Sequence, residues 1–196
     1  MATVTAQPID PGTVPWSPDP VRQRLADYTL DDILTVPDDA PRVELVDGVM
    51  VVVPSPTFGH QNISFLLCAW FRAHCPPHLI ASIALGVAVG ANNTCEPDVM
   101  VHSAETALDK HFLMPGDVTI VVEIVSPSTR RRDRIDKPAV YADAGIPYFW
   151  RVEQDPVRIH AYRLNGGRYT EQAASTDELV VDKPFPIRLP IREITP

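Results

Sequence analysis

The sequence lacks the features of a membrane protein and of a disulfide-linked extracellular domain. No apolar run approaches the roughly 18–20 residues that a membrane helix needs. The N-terminus has no basic region followed by an apolar core, so no secretory signal is expected. The cysteines, Cys68, Cys75 and Cys95, are odd in number and form no CxxC pair. The cysteine pattern favours reduced thiols in a cytoplasmic protein. The missing apolar run argues against a membrane partner.

Common ligand-binding motifs are absent as well. There is no G-x-G-x-x-G, no G-x-x-x-x-G-K-[ST] and no zinc-type cluster of cysteine and histidine, so dinucleotide binding, P-loop hydrolysis and a zinc finger lose their usual support. The chain also lacks a basic excess, because its formal net charge is -8 and its pI is near 5.1. Bulk charge therefore argues against a nucleic-acid coat protein. It does not exclude a nuclease, whose cation site needs carboxylates and whose basic patch can be local.

The chain of 196 residues suits one domain preceded by an arm. Residues 1–24 contain five prolines and little apolar periodicity, which predicts a flexible proline-rich arm. Trp16, inside this arm, either docks on the body or on a partner, or is loosely ordered. Residues 25–196 are assigned to a single domain.

The periodicity of the remaining chain predicts an α/β domain with a mixed sheet. Asp47-Gly48 lies between apolar runs 43–46 and 49–53 and predicts a β-hairpin near the N-terminus. Helices are expected at 30–36, at 58–73 and from about 130 to Gly145. Further strands are expected at 79–82, 85–89, 96–101, 118–125, 147–152, 157–164 and 168–170. Residues 102–116 are predicted to be a loop with a helical turn, and the chain after 170 an edge strand and a tail.

The most informative stretch surrounds Glu123. The apolar run 118–125 predicts a strand buried on both faces, and a carboxylate there is costly unless it is paired or binds a metal. A hydroxyl-bearing turn at 126–129, several arginines and Lys137 follow. A buried acid, a hydroxyl turn and a basic helix start together indicate a site for an anionic ligand and a divalent cation.

Each candidate also has a purely structural interpretation. The arginines from Arg130 to Arg134 can form a solvated turn paired with Asp133 and Asp136. Taken alone, Glu44 is a solvent-face acid and His60 a surface or capping residue. Asp98 and Glu123 can be buried acids that are satisfied by backbone donors or by an arginine.

Three pieces of sequence resemble the PD-(D/E)XK nuclease superfamily and, within it, the Uma family of restriction endonuclease-like proteins. They are Glu-Leu-Val-Asp-Gly at 44–48, Pro-Asp-Val at 97–99, and Glu-Ile-Val-Ser-Pro-Ser-Thr at 123–129 followed by Asp133, Lys137 and Tyr141. The resemblance covers about residues 25–170. It implies a restriction-endonuclease-like mixed sheet flanked by helices, with Mg²⁺ or Mn²⁺ held by carboxylates.

By this likeness Asp98 and Glu123 bind the ion, and Glu44 binds or orients it. The superfamily expects a lysine two residues beyond Glu123, where this chain has Val125, and Lys137 in the next helix is the natural replacement. The predicted catalytic set is therefore Glu44, Asp98, Glu123 and Lys137. The candidate substrate contacts are His60, Ser126, Ser128, Arg130, Arg131 and Arg134.

The activity implied by the resemblance is endonucleolytic hydrolysis of DNA, by a protein that forms a homodimer. Glu96 stands where a basic residue is common in Uma-like sequences, and it adds negative charge near the site. The alternative is therefore a nuclease-fold interaction module whose catalysis is weak or lost.

Overall fold

The computed structural model describes residues 16–37 and 39–196, which form a mixed α/β fold. The strands are β1 (Val43–Val46), β2 (Val49–Val52), β3 (Leu79–Ser82), β4 (Gly86–Gly90), β5 (Asn93–Cys95), β6 (Val99–Ser103), β7 (Phe112–Leu113), β8 (Val118–Ile124), β9 (Tyr148–Gln154), β10 (Val157–Asn165), β11 (Arg168–Ser175), β12 (Glu178–Val181) and β13 (Ile187–Pro190). The helical segments are α1 (Arg22–Leu25), α2 (Leu30–Ile33), α3 (Phe58–His74), α4 (Lys137–Asp143), a π-helical turn (Arg132–Asp136) and 3₁₀ turns at Pro115–Asp117 and Ile191–Ile194. The predicted mixed sheet and N-terminal hairpin are confirmed.

A six-stranded sheet in the order β11-β10-β9-β8-β6-β3 forms the centre of the molecule. β8 and β9 are parallel, whereas the other neighbouring pairs are antiparallel. Parallel neighbours need a crossover connection, and here that connection carries the π-helical turn and α4. This crossover places α4 beside β8.

The strand β8 is buried on both faces, as its apolar sequence predicts. On one face Val122 and Ile124 pack with Phe71 of α3 and with Trp150. On the other face Val121 packs in a cluster with Met100, Tyr141 and Phe149. Because side chains alternate along a strand, Glu123 points to the same side as Val121, towards α4. No helix among residues 16–37 and 39–196 is long and apolar enough to cross a membrane.

The β1–β2 hairpin turns at Asp47 and Gly48, which both have positive φ, at 48° and 75°. This is the backbone that a two-residue hairpin turn prefers. A Cβ on Gly48 would lie 2.5 Å from the Cβ of Asp27, so this position has no room for a side chain. Hydrogen bonds hold the hairpin against β5 and the residue before it. The Leu45 N–H donates to Thr94 Oγ1 at 3.0 Å, and the Gly48 N–H donates to the Asn92 carbonyl at 2.9 Å.

Several predicted elements are corrected by the structure. The stretch after residue 170 is not an edge strand with a tail, because β12 and β13 form a hairpin whose apolar side chains, Leu179, Ile187 and Leu189, enter the main core. The predicted loop at 102–116 contains the end of β6 and also β7, which pairs in parallel with β4. Pairing with distant strands, which local periodicity does not reveal, orders these short segments.

Part of the predicted flexible arm falls outside the structural description. Residues 1–15 lie outside the described residues. In the remainder of the arm, Trp16 packs, half-buried, against the cluster of Tyr28, Leu45 and Met50. The Asp19 N–H contacts the Tyr28 hydroxyl at 3.1 Å. Of the alternatives for Trp16, docking on the body of the protein is the one that the structure shows.

Candidate active site

A cleft of about 300 Å³ opens where the ends of β2 and β8, the start of β6 and the N-terminus of α3 meet. Its lining includes His60, Asp98, Glu123, Ser126, Ser128, Thr129, Arg132, Asp133 and Lys137. Six of these were predicted as site residues: Asp98, Glu123, Lys137, Ser126, Ser128 and His60, the last of which lies on α3.

Backbone hydrogen bonds place Asp98 beside Glu123. The Asp98 N–H donates to the Val122 carbonyl at 3.0 Å, which extends the pairing between β6 and β8 by one residue. The Ile124 N–H donates to Asp98 Oδ2 at 2.7 Å. Pro97 precedes this pairing, where a missing N–H costs little. His60 Nε2 lies 3.1 Å from the same Asp98 oxygen, so the histidine is a buried residue of the cleft lining and not a surface residue.

The ammonium of Lys137 lies directly on the carboxylate of Glu123. Nζ donates to Oε1 at 2.9 Å and to Oε2 at 2.8 Å, and the Tyr141 hydroxyl donates to Oε1 at 2.5 Å. Lys137 and Tyr141 are four residues apart on α4, so both reach the same point. Val125, at the position where the superfamily has lysine, is buried in the core. The structure therefore brings a helical lysine to the strand carboxylate.

The pKa values of this pair reflect its burial. Burial raises the pKa of Glu123 to about 8, opposed by the ammonium of Lys137 and reinforced by the negative charges of Asp98 and Asp133. For Lys137 burial acts to lower the pKa, but the carboxylates of Glu123 and Asp98 outweigh it and the pKa is raised. Asp98, Glu123 and Asp133 thus repel one another around Lys137, and an added cation would relieve this repulsion.

Glu44 is buried behind the cleft and is not part of its lining. Its side chain is 1% exposed, so the solvent-face interpretation is wrong. Oε2 contacts the guanidinium of Arg132, and Oε1 lies 3.4 Å from Lys137 Nζ. The Glu96 N–H also donates to Oε1, at 3.2 Å. Glu44 thus contacts two cationic side chains of the crossover segment.

The hydroxyl turn forms one wall of the cleft. Ser126 Oγ lies 3.0 Å from Ser128 Oγ and 2.7 Å from Thr129 Oγ1, and the Thr129 hydroxyl donates to Asp133. Burial raises the pKa of Asp133. The predicted arginines lie elsewhere: Arg130 and Arg131 are exposed, and Arg134 donates to both carboxylate oxygens of Glu153 at 3.1 and 2.7 Å. None of these three lines the cleft.

Sequence reasoning assigned no role to three charged residues of the cleft lining, Arg42, Arg132 and Asp133. For the turn that holds the last two it left a solvated arrangement open, whereas Arg132 reaches Glu44 and Asp133 is 4% exposed. The available signal was the spacing of Thr129, Asp133 and Lys137, which lie four residues apart and therefore share one helix face.

The donor set suits a hard divalent cation. Asp98 and Glu123 present carboxylate oxygens to one cleft, and Mg²⁺ is commonly held by one or two protein carboxylates together with waters and substrate phosphate. Among residues 16–37 and 39–196, no group of three or more His, Cys, Asp or Glu side chains is arranged to hold a metal ion. The residues thus fit a two-carboxylate site completed by water and phosphate oxygens.

These features define a class of protein. A mixed α/β sheet that brings a Pro-Asp aspartate, a strand glutamate and a lysine into one cleft is restriction-endonuclease-like. The family model Uma2, described as "Putative restriction endonuclease", matches residues 30–192, and the chain belongs to this family.

A solved structure has the same fold. It is a "putative nuclease belonging to DUF820" from Anabaena variabilis ATCC 29413, similar with a TM-score of 0.66 and 19% sequence identity, over 85% of this chain and 97% of that chain. At this identity the likeness establishes the fold alone. No curated protein matches the chain.

Proposed function

We propose that the protein is a Mg²⁺- or Mn²⁺-dependent endonuclease that hydrolyses phosphodiester bonds in DNA. The observation that carries this proposal is the contact of the Lys137 ammonium with both oxygens of Glu123, beside Asp98, in an open cleft. Membership of a restriction endonuclease family supports nuclease activity. A cytoplasmic location accompanies the proposal, as expected from the cysteine pattern.

Each side chain of the cleft has a chemical role in this reaction. Asp98 and Glu123 would hold the cation, which supplies Lewis acidity and lowers the pKa of bound water. Lys137 holds the attacking water or stabilises negative charge that develops on the phosphate. His60 donates to Asp98 through Nε2 when that nitrogen carries its proton, and so fixes the carboxylate. The catalytic set is thus Asp98, Glu123 and Lys137, with Glu44 behind it.

The walls of the cleft offer contacts for phosphate groups. The hydroxyls of Ser126 and Ser128 face the cleft, and Arg132 contributes a guanidinium that is a quarter exposed. Arg130 and Arg131 lie outside the cleft and can contact only flanking phosphates, which an extended polymer provides. A homodimer would present two clefts to the two strands of a duplex, and sedimentation velocity tests that state.

The first test is a cleavage assay with matched variants. Supercoiled plasmid and single-stranded DNA are incubated with the protein in Mg²⁺, in Mn²⁺ or in chelator, next to Asp98→Asn and Glu178→Gln. Glu178 is an exposed acid on β12 and serves as the control for a lost carboxylate. Cleavage by wild type and Glu178→Gln but not by Asp98→Asn supports the proposal. Equal cleavage by all three places the activity outside this cleft.

One observation favours a second candidate, a nuclease-fold interaction module without catalysis. Each of the three motif acids already has a cationic or hydrogen-bonding partner within the chain. The partners are Arg132 and Lys137 for Glu44, Lys137 and Tyr141 for Glu123, and His60 for Asp98. Cation binding separates the two candidates. Stabilisation by Mn²⁺ that disappears in Asp98→Ala supports the nuclease, whereas no shift in melting temperature at millimolar Mn²⁺ supports the module.

A further inference from the structure

The position of Glu44 differs from that of Asp98 and Glu123. Asp98 and Glu123 line the cleft, whereas Glu44 lies behind it and contacts three cationic residues of its lining, Lys137, Arg132 and Arg42. We infer that Glu44 is a positioning residue for Lys137: its carboxylate accepts a hydrogen bond from the Lys137 ammonium when Glu123 binds a cation instead. This inference rests on the proposed function and assigns Glu44 a role other than that of a metal ligand.

Three of the roughly four lone-pair sites of Glu123 already accept hydrogen bonds, so a cation could use only the remaining site on Oε2, next to the ammonium. Oε1 accepts hydrogen bonds from Tyr141 at 2.5 Å and from Lys137 at 2.9 Å, and Oε2 accepts from Lys137 at 2.8 Å. A cation at that site would lie beside the ammonium in a fully buried setting, where like charges repel strongly. Lys137 must therefore loosen its contact with Glu123 when a cation binds there.

Glu44 is the acceptor best placed to receive the ammonium. Its Oε1 lies 3.4 Å from Lys137 Nζ, and the Glu96 carbonyl lies 3.5 Å away. A charge-assisted hydrogen bond is about 2.8 Å long, so a shift of well under 1 Å converts the first of these separations into a full bond. An ammonium carries three donors, so the Glu44 and Glu96 oxygens together can replace the two bonds to Glu123.

Glu44 is also held where it can act as a fixed acceptor. Oε2 contacts Arg132, the Glu96 N–H donates to Oε1 at 3.2 Å, and Arg42 Nη2 lies 3.9 Å from Oε1. On the next residue, the bond from the Leu45 N–H to Thr94 fixes the strand. These contacts keep the carboxylate behind the cleft. After the shift, Lys137 remains charged and stays next to the reacting phosphate.

A double-mutant cycle on Mn²⁺ affinity tests the inference. The dissociation constant for Mn²⁺ is measured without DNA, by electron paramagnetic resonance of the free ion, for wild type, Glu44→Gln, Lys137→Met and the double variant. Glu44→Gln is expected to weaken binding about tenfold or more in the wild-type background, which is typical for loss of a partner outside the ligand set. In the Lys137→Met background the same change is expected to alter binding less than about twofold, because no ammonium needs a new acceptor.

The outcomes separate this inference from the proposed function. An equal loss of Mn²⁺ affinity in both backgrounds makes Glu44 a ligand and overturns the inference, as does an unchanged affinity in Glu44→Gln alone. In either case the nuclease proposal survives if the wild type binds Mn²⁺ and cleaves DNA. A wild type that binds no Mn²⁺ overturns both.

Controls address folding and general charge loss. Circular dichroism and thermal melting establish whether each variant is folded. If Glu44→Gln does not fold, because Arg132 loses its counter-charge, Glu44→Asp replaces it in the cycle: it keeps the negative charge and shortens the reach towards Lys137. Glu178 is an exposed acid outside the cleft lining, so Glu178→Gln is expected to leave the Mn²⁺ dissociation constant unchanged.

Discussion

Asp98 and Glu123 are fixed relative to each other by the backbone, because the N–H of the residue after Glu123 donates to Asp98 Oδ2 at 2.7 Å. Asp98→Asn keeps an oxygen for this bond but loses the charge. We expect the fold to persist, Mn²⁺-induced thermal stabilisation to disappear, and cleavage to fall on the order of 10²-fold or more, since Lewis-acid stabilisation is worth several kcal/mol. Melting curves with and without Mn²⁺ measure the first effect. Undiminished stabilisation by Mn²⁺ would remove Asp98 from the site.

Glu123→Ala is expected to damage the fold as well as the activity. The variant leaves the buried Lys137 ammonium without its main partner, and breaking a buried ion pair typically costs about 3–5 kcal/mol. Glu44, at 3.4 Å, offers only part of a replacement. Chemical denaturation at about pH 9, above the Glu123 pKa of about 8, gives the free energy of unfolding with the pair ionised, and Glu178→Ala is the control. A loss below about 1 kcal/mol would mean that Glu123 and Lys137 do not form this pair in solution.

Stability should depend on pH through Glu123. Its pKa is raised to about 8 in the folded protein, above the ordinary 4.5. Between these values the folded state holds a proton that the unfolded state has released, so this group makes stability fall as pH rises from about 4.5 to 8. Glu123→Gln lacks this effect. The free energy of unfolding of wild type minus that of Glu123→Gln should therefore decrease across pH 5, 6, 7 and 8. A constant difference would show that Glu123 does not titrate in this range.

Lys137→Met should reduce turnover more than metal binding. The methionine retains the apolar stem but removes a charged donor next to the reacting phosphate, and loss of one such donor typically lowers kcat by about 10²–10³-fold. Mn²⁺ affinity should stay the same or increase, since the ammonium no longer competes for Glu123. Single-turnover cleavage and DNA-binding anisotropy are measured side by side. If only DNA affinity declines, the lysine is a phosphate contact with no part in the chemical step.

Gly48 should be the least replaceable glycine of the hairpin turns. Gly48→Ala forces an L-residue to a φ of 75° and drives its Cβ into Asp27. Gly166→Ala is a matched control, because its φ of 56° is also positive but no atom lies within 4 Å of the added Cβ. A residue with a side chain in this region costs about 1–2 kcal/mol, so Gly166→Ala should lose about that much and Gly48→Ala more. Equal losses in thermal melts would show that Asp27 moves aside freely.

Local patterns predicted the elements whose identity depends on their own residues. The apolar run around Val121, the helical spacing of Leu67 and Phe71, and the Asp47-Gly48 turn all carry a periodicity or a turn preference within a few residues. The motif residues could be placed because Asp98 immediately precedes β6 and Glu123 lies within β8, two strands that such patterns reveal. The motif comparison also predicted that Lys137 replaces the missing strand lysine, and in the structure its ammonium contacts Glu123.

Features that depend on distant partners could not be predicted in this way. The residues around Glu44 predict an exposed strand position. It is buried because β5, about 50 residues later, packs on the hairpin and because the crossover segment covers the acid. The strands β12 and β13 are short, and their apolar residues gain a partner only from the completed sheet. The direction in which Arg132 points depends on the local helix type, which the order of residues does not reveal.

That helix type sets the angular spacing between Arg132 and Lys137. A π-helical turn accommodates one more residue than an α-helical turn, and each residue of an α-helix corresponds to a rotation of about 100°. The additional residue therefore changes the angle between Arg132 and Lys137 around the helix axis. With this angle, Arg132 contacts Glu44 while Lys137 and Tyr141 contact Glu123. A chain that lacks the exposed Ile135 would keep every charged group of the site and still change the angle between Arg132 and Lys137 around the helix axis. The site is thus encoded by the count of residues in this turn as much as by their chemistry.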